Sequence, residues 1–451
     1  MTLKTNLKEL EQEFIEEIKF FDGYKNLEIE HIYHGNENEF INEFTVNGVR
    51  SEYRNVKNIS DLTEKKRYTH RFAKLGLYKS LSEHFGISLP WGALTGIRPV
   101  KFAYGEGGNW REYMSGEMGV SSEKLDMVAK ILEEQKGIYE LKEGNTDLFI
   151  DIPFCPSRCL YCSFMSCEIG KAKNISEYTD TLCREIEVAK PLIKNLRSVY
   201  IGGGTPVSLP IYETEKFLQA IGNVSTEYTV EAGRPDCIND EVLALLKKYG
   251  VSRICVNPQT FSDDTLKLLG RKHTVKDIYD KYAMAQKYGF SINMDLIAGL
   301  PGENIETFKN SVDRAIELSP DNITVHTLSL KKGSKLKELV ERLDDSLIGN
   351  MIDYSYKSLT ENSYNPYYMY RQKYMAGNLE NTGYTKKGKA CVYNIDIMEE
   401  ITDNVACGAN AVSKRLYLKE DRIERYGAPK DIKTYIDKID KVIEEKNRLF
   451  R

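Results

Sequence analysis

From residue 147 onward, short β-branched or aromatic runs alternate with helical patterns, and this alternation limits the possible folds more than any other feature. The strand candidates are residues 148–152, 198–201, 228–230, 253–256, 291–297 and 322–325. Between the first two, Ile175, Tyr178, Leu182, Ile186, Ala189 and Ile193 mark one face of a long helix, and residues 275–288 and 303–318 repeat the pattern. Six such βα units predict an α/β fold, a parallel sheet curled into a partial (β/α)6 TIM-like barrel.

The flanks differ in texture. Leu3, Leu7, Leu10, Phe14, Ile18 and Phe21 predict an amphipathic opening helix, Phe44, Val46 and Asn47-Gly48 a hairpin, and residues 71–81 and 121–134 further helices. Residues 1–145 therefore form an N-terminal α+β unit, 146–335 the barrel, and 336–451 a C-terminal extension with tyrosines at 364, 367, 368, 370 and 374 and a closing helix. The 63 basic and 67 acidic residues leave a net charge of -4, which argues against a nucleic-acid partner. The opening Met1-Thr2-Leu3-Lys4 has no apolar h-region, and no run approaches a membrane span, so a cytoplasmic protein is expected.

Nine cysteines are present, and three cluster: Cys155-Pro156-Ser157-Arg158-Cys159-Leu160-Tyr161-Cys162, directly after the first predicted strand. Structural zinc wants four protein ligands, and only Cys167 is spare nearby. A [4Fe–4S] cluster held by Cys155, Cys159 and Cys162 would instead leave one iron open to a small molecule. Polar residues stand at the other strand ends: the Gly202-Gly203-Gly204-Thr205-Pro206 run, Glu231, Gln259, Arg271 and Asp295. Singly, each also fits a solvated strand end or a cap. Together they gather where (β/α) barrels place their chemistry. Asp295, among Ile292, Leu296, Ile297 and Leu300, is a carboxylate needing partners, for which ribose hydroxyls would serve.

The cysteine triplet, with Tyr161 before its last member, resembles the signature of the radical S-adenosylmethionine superfamily. That likeness implies a [4Fe–4S] cluster and S-adenosylmethionine as cofactors. In that family the methionine moiety chelates the open iron and one electron releases a 5′-deoxyadenosyl radical. Further phrases resemble the oxygen-independent coproporphyrinogen III oxidase (dehydrogenase) family: Ile152-Pro153-Phe154-Cys155, Thr229-Val230-Glu231-Ala232, Gln259 with Arg271, and Asp295-Leu296-Ile297-Ala298-Gly299-Leu300-Pro301. Trp91-Gly92-Ala93-Leu94-Thr95-Gly96-Ile97-Arg98-Pro99 and the phrase from Arg371 to Asn381 are similar to the branch of low-GC Gram-positive bacteria. The resemblance implies that Phe149, Tyr161, Gly203, Gly204, Thr205, Glu231, Gln259, Arg271, Asp295, Ile297, Ser329 and Val412 bind the cofactors. It also implies that 336–451 covers the substrate, and that a flavodoxin-type reductase supplies electrons. Two departures stand out: Phe149-Ile150-Asp151 replaces the family's Tyr-x-His, and Ala232-Gly233-Arg234-Pro235 follows Glu231.

The implied activity is oxidative decarboxylation of two propionates of coproporphyrinogen III to vinyls. A tetracarboxylate wants fixed guanidinium forks, for which Arg98, Arg234 and Arg371 are candidates. A haem-delivery protein on the same barrel, with His326 as the residue to test as axial ligand, and a radical enzyme acting on another tetrapyrrole are the alternatives.

Overall fold

The computed structural model describes residues 1–94, 98–162, 167–330, 333–340, 343–372 and 375–451; Thr95, Gly96, Ile97, Lys373 and Tyr374, which belong to phrases quoted above, lie outside them. The chain divides into two compact units, Met1–Ala129 with Arg371–Leu379, and Lys130–Tyr370 with Glu380–Arg451.

In the first unit, among the described residues, β1 (Thr2–Thr5), β2 (Glu28–Gly35), β3 (Glu39–Val46) and β4 (Val49–Val56) form one sheet in that order. Period-2 alternation along β3 buries Phe40, Asn42, Phe44 and Val46 on one face, under the helices Glu11–Ile18 and Leu62–Phe85. Asn47 and Gly48 both have positive φ, 46° and 84°, as the tight β3–β4 hairpin requires. The predicted opening helix is shorter than its apolar spacing suggested. Leu3 lies in β1 opposite Ile29, and the Asn6 carboxamide brackets the Tyr33 backbone, donating to its carbonyl at 2.9 Å and accepting from its N–H at 2.8 Å. Strand pairing outcompetes the helical register there, and the α-helix begins only at Glu11. Residues 371–379 belong here because the Arg371 guanidinium lies 5.1 Å over the Trp91 ring and donates to Leu94 O at 2.5 Å and Asn378 O at 2.9 Å.

In the second unit, β5 (Asn145–Ile152), β8 (Asn195–Gly203), β9 (Glu227–Gly233), β10 (Arg253–Val256), β11 (Ser291–Ala298) and β12 (Asn322–Thr327) are the six predicted strands. They pair in parallel in chain order. Between β5 and β8 the cysteine loop adds a two-residue ladder, β6 (Phe154–Cys155) with β7 (Cys167–Glu168). Helices Ile175–Ala189, Ile211–Ile221, Asp240–Lys248, Val275–Lys287 and Ile305–Leu318 separate the strands. The fold is therefore the expected partial (β/α)6 barrel, and its concave face carries the tyrosine-rich packing of Tyr367, Tyr368 and Tyr393.

The sheet is larger than its six predicted strands. β13 (Asn365–Tyr370) and β14 (Asn381–Thr385) continue it antiparallel beyond β12, while β15 (Asp403–Cys407) lies parallel beside β5, followed by β16 (Val412–Tyr417) and β17 (Arg422–Gly427). Among the described residues, five strands of 336–451 thus share the barrel's own sheet. Its strands are short, and the two pairings that join it to the barrel, β14 with β12 and β15 with β5, reach partners far along the chain, so no local period announces them. The closing helix is two, Ile432–Asp437 and Ile439–Phe450, broken at Lys438. Among the described residues no helix is long and apolar enough to cross a membrane.

Candidate functional site

Strand alternation sorts the barrel side chains into layers. Phe149 on β5 and its register partner Tyr200 on β8 stack with Tyr393, at centroid distances of 6.3, 4.3 and 6.1 Å, and fill the middle of the concave face. One step further along the strands stand Asp151, Glu231, Asn257, Asp295 and His326, at the carboxyl ends where the cysteine loop begins.

That loop is fastened from several sides. Leu160 N–H donates to Leu269 O at 3.1 Å, and its carbonyl accepts from Leu336 N–H at 3.0 Å. Arg234, buried, grips Asp236 with two parallel bonds of 3.0 and 2.8 Å and donates to Ser157 Oγ at 2.8 Å, with a nitrogen 3.9 Å from Cys159 Sγ. Burial opposes ionisation of Asp236, but His273 and Arg234 outweigh it and hold the carboxyl well below the usual range. Arg234 thus holds the cysteine loop, with its fork committed to Asp236 and Ser157.

The glycine run passes close beneath Cys155. A Cβ on Gly204 would stand 2.4 Å from Phe154 O and 3.0 Å from Cys155 Sγ; one on Gly203, whose φ is 102°, would stand 2.6 Å from Asp151 Oδ1. Thr205 donates through its N–H to Phe154 O at 2.7 Å and has its hydroxyl 3.6 Å from Cys155 Sγ. Only glycine permits this approach, which is the physical content of the Gly-Gly-Gly-Thr run.

Glu231 is half-buried and accepts from Tyr200 OH at 2.6 Å. Burial pushes its carboxyl up to about 7, with the Asp295 charge adding and the Tyr200 bond subtracting. Burial, then the Glu231 charge, pushes the Asp151 carboxyl up to about 8. Asp295 is oriented by Asn257 and Asn293 amides, each at 2.8 Å, with His326 Nε2 3.7 Å away. Gln259 adopts φ 69°, unusual for a non-glycine residue, while its N–H and carbonyl bond to Asp295 and Ile297 across the gap to β11. Arg271 donates to Asn257 O at 2.7 Å and Tyr161 OH at 3.1 Å. Tyr161, Ile297 and Leu160 share one apolar cluster.

The remaining candidates scatter. Ser329 is half-buried just past β12. Val412 opens β16 and is 42% exposed. Arg98 and Arg371 belong to the first unit, Arg98 half-buried at the start of helix Pro99–Glu106 and Arg371 engaged as described. His326 accepts or donates at 3.3 Å with Tyr370 OH. Sequence reasoning missed Tyr200, Asn257, Asn293 and Asp236. The period-2 signal that puts Tyr200 on the same face as Gly202 was available, whereas Asp236 shows its role only through Arg234.

The residues present suit a cluster and S-adenosylmethionine. Among the described residues no three His, Cys, Asp or Glu side chains converge as on a single ion, and a cubane distributes its thiolates over separate irons. Cys167, the spare thiol, points its hydrogen bond at Glu168 O. Gln259 Oε1, Asn257 Oδ1 and Arg271 Nε are buried without a hydrogen-bond partner, which leaves acceptors and a donor for a polar ligand beside the glycine cradle.

Comparison with known proteins agrees. The Radical SAM superfamily model matches residues 149–315, and that superfamily uses a [4Fe–4S] cluster and S-adenosylmethionine. Over 416 residues the chain is 36% identical to the oxygen-independent coproporphyrinogen-III oxidase-like protein HemZ of Bacillus subtilis, covering 86% of this chain and 82% of that protein. It is 34% identical over 203 residues to the heme chaperone HemW of Bacillus subtilis, covering 43% of this chain and 53% of that one. The coproporphyrinogen III oxidase HemN of Escherichia coli shares the fold, with a TM-score of 0.55 at 21% identity over 66% of this chain and 70% of that one. The chain therefore belongs to the radical SAM superfamily, in its oxygen-independent coproporphyrinogen-III oxidase-like family.

Proposed function

We propose that this protein is a cytoplasmic radical S-adenosylmethionine enzyme that oxidatively decarboxylates two propionates of coproporphyrinogen III to give protoporphyrinogen IX, reduced by a flavodoxin-type donor. The observation that carries this reading is extent: likeness to the oxidase-like relative spans 86% of the chain, whereas likeness to heme chaperones of several bacteria spans 41% to 66%.

Bound together, the cluster and S-adenosylmethionine supply one-electron bond cleavage and a hydrogen-abstracting adenosyl group. The chain's own residues bind and orient. Cys155, Cys159 and Cys162 hold the cluster on a loop fastened by Arg234. Glu231 takes the methionine amino group, and Asp295, with both oxygens aimed by Asn257 and Asn293, takes ribose hydroxyls. Gln259, Thr205 and Arg271 offer further polar contacts, while Tyr161 and Ile297 supply apolar ones. Phe149, Tyr200 and Tyr393 floor the mouth, which keeps water and substrate from descending into the barrel. Arg98, Arg234 and Arg371 are the arginines to test against a propionate, the last two also holding their own segments.

A haem-delivery role is the second reading, supported by the heme-chaperone likeness and by half-buried His326 at the mouth. Anaerobic incubation of the reduced, reconstituted protein with coproporphyrinogen III separates the two. Release of 5′-deoxyadenosine and carbon dioxide is the expected result. Tight haem binding lost in His326→Ala, with no deoxyadenosine formed, would overturn the enzymatic reading.

A further inference from the structure

Among the described residues, Glu231 receives one side-chain hydroxyl, the Tyr200 phenol at 2.6 Å. That phenol has little freedom. Its ring is one corner of a three-ring cluster, stacked on Tyr393 at 4.3 Å and 19° and on Phe149 at 6.3 Å and 22°, with those two rings 6.1 Å apart. Phe149 is the position where the resembled family carries tyrosine, and Tyr200 is its register partner on the adjacent strand. Here a phenol stands on β8, and the ring beside it on β5 has no hydroxyl.

We propose that Tyr200 is a positioning residue for S-adenosylmethionine: its hydroxyl fixes one oxygen of Glu231, so that the ionised carboxylate presents the other to an N–H of the methionine amino group. This rests on the reading that Glu231 receives that amino group. The second oxygen, Oε2, would stand 2.9 Å from a Cβ on Gly202, so glycine is needed for the carboxylate to lie where Tyr200 holds it.

Facing Glu231 are Tyr200 on β8, Asp151 on β5, Cys255 on β10, Asp295 on β11, His326 on β12, Tyr370 on β13 and Tyr393 on helix Val392–Glu399. Burial and two acidic neighbours favour the neutral carboxyl; the phenol, His326 and the Gly203 amide favour the anion. Removing a hydrogen bond to the anion raises the proton affinity, so the carboxylate that accepts from the amino group appears only at higher pH.

The test uses full-length protein with its cluster reconstituted anaerobically, and measures S-adenosylmethionine affinity by equilibrium dialysis from pH 6 to 9. Wild type is expected to lose affinity as the pH falls through about 7, where Glu231 takes its proton. Tyr200→Phe keeps the stacked ring. It should move that midpoint up by about one pH unit, weaken binding at pH 7 by roughly fivefold and recover most of it at pH 9. In ligand-free protein, pH-difference infrared spectra should show the same shift in the carboxyl band that Glu231→Gln removes. An unmoved midpoint and an unmoved band in Tyr200→Phe would overturn the proposal. Wild-type affinity in Glu231→Gln would instead overturn the reading that Glu231 binds the amino group, while the infrared shift would still report on the Tyr200 bond.

Discussion

Lys446 and Glu185 form an ion pair at 2.7 Å between helices Ile439–Phe450 and Ile175–Ala189, at 2% and 1% exposure. The other Glu185 oxygen accepts Gly408 N–H at 2.7 Å and Tyr435 OH at 2.5 Å. Gly408 in turn lies against the Asp151 carbonyl, which a Cβ would approach to 2.5 Å, so the pair ties the closing helix to the β5–β15 end below the cysteine loop. Lys446→Met leaves a buried carboxylate with donors but no counter-charge, and Glu185→Gln leaves a buried ammonium. Each should cost roughly 3–5 kcal/mol. The double variant removes both charges and should cost less than the sum, with a coupling of up to about 3 kcal/mol. Urea unfolding followed by far-UV circular dichroism measures all four corners of the cycle. Single variants within about 1 kcal/mol of wild type, or a strictly additive double, would refute the claim that this pair is dry and mutually dependent.

Gly204→Ala should leave the barrel folded but cost about 1–3 kcal/mol, because its methyl meets the Phe154 carbonyl at 2.4 Å, and should lower iron and sulfide content after reconstitution. Wild-type loading would show that the loop yields at no cost. Asp151, pushed up to about 8 in the folded state, keeps a proton that the unfolded chain loses from about pH 4, so its contribution to stability falls as pH rises through that window. Asp151→Asn should therefore gain urea resistance over wild type between pH 5 and pH 8; a difference that does not change with pH would contradict the burial argument.

The parts of the fold and site that were legible in sequence are those whose cause is local. The period-2 runs of β5 and β8 to β12, the 3.6-residue faces between them and the spacing of Cys155, Cys159 and Cys162 lie within a few residues of one another. Glu231, Gln259, Arg271 and Asp295 were found because each follows or ends a strand. Arg234 is a candidate substrate contact in sequence because its guanidinium fork matches a carboxylate, and its bonds to Asp236 and Ser157 are a matter of geometry. Leu3 and Leu7 fitted a helical spacing by coincidence, since β1 is recruited by β2, more than twenty residues on.

By itself, then, the sequence determined the βα alternation, the class of fold and the three thiolates of one loop, because backbone period and ligand spacing are written along the chain. Only the tertiary structure decided that β15 closes beside β5, that residues 371–379 group with the first unit, that Lys446 neutralises Glu185 and that Tyr200 holds Glu231. Each of these joins groups distant in sequence or on neighbouring strands, and their energies exist only once packing has excluded water and fixed which charges and hydroxyls meet.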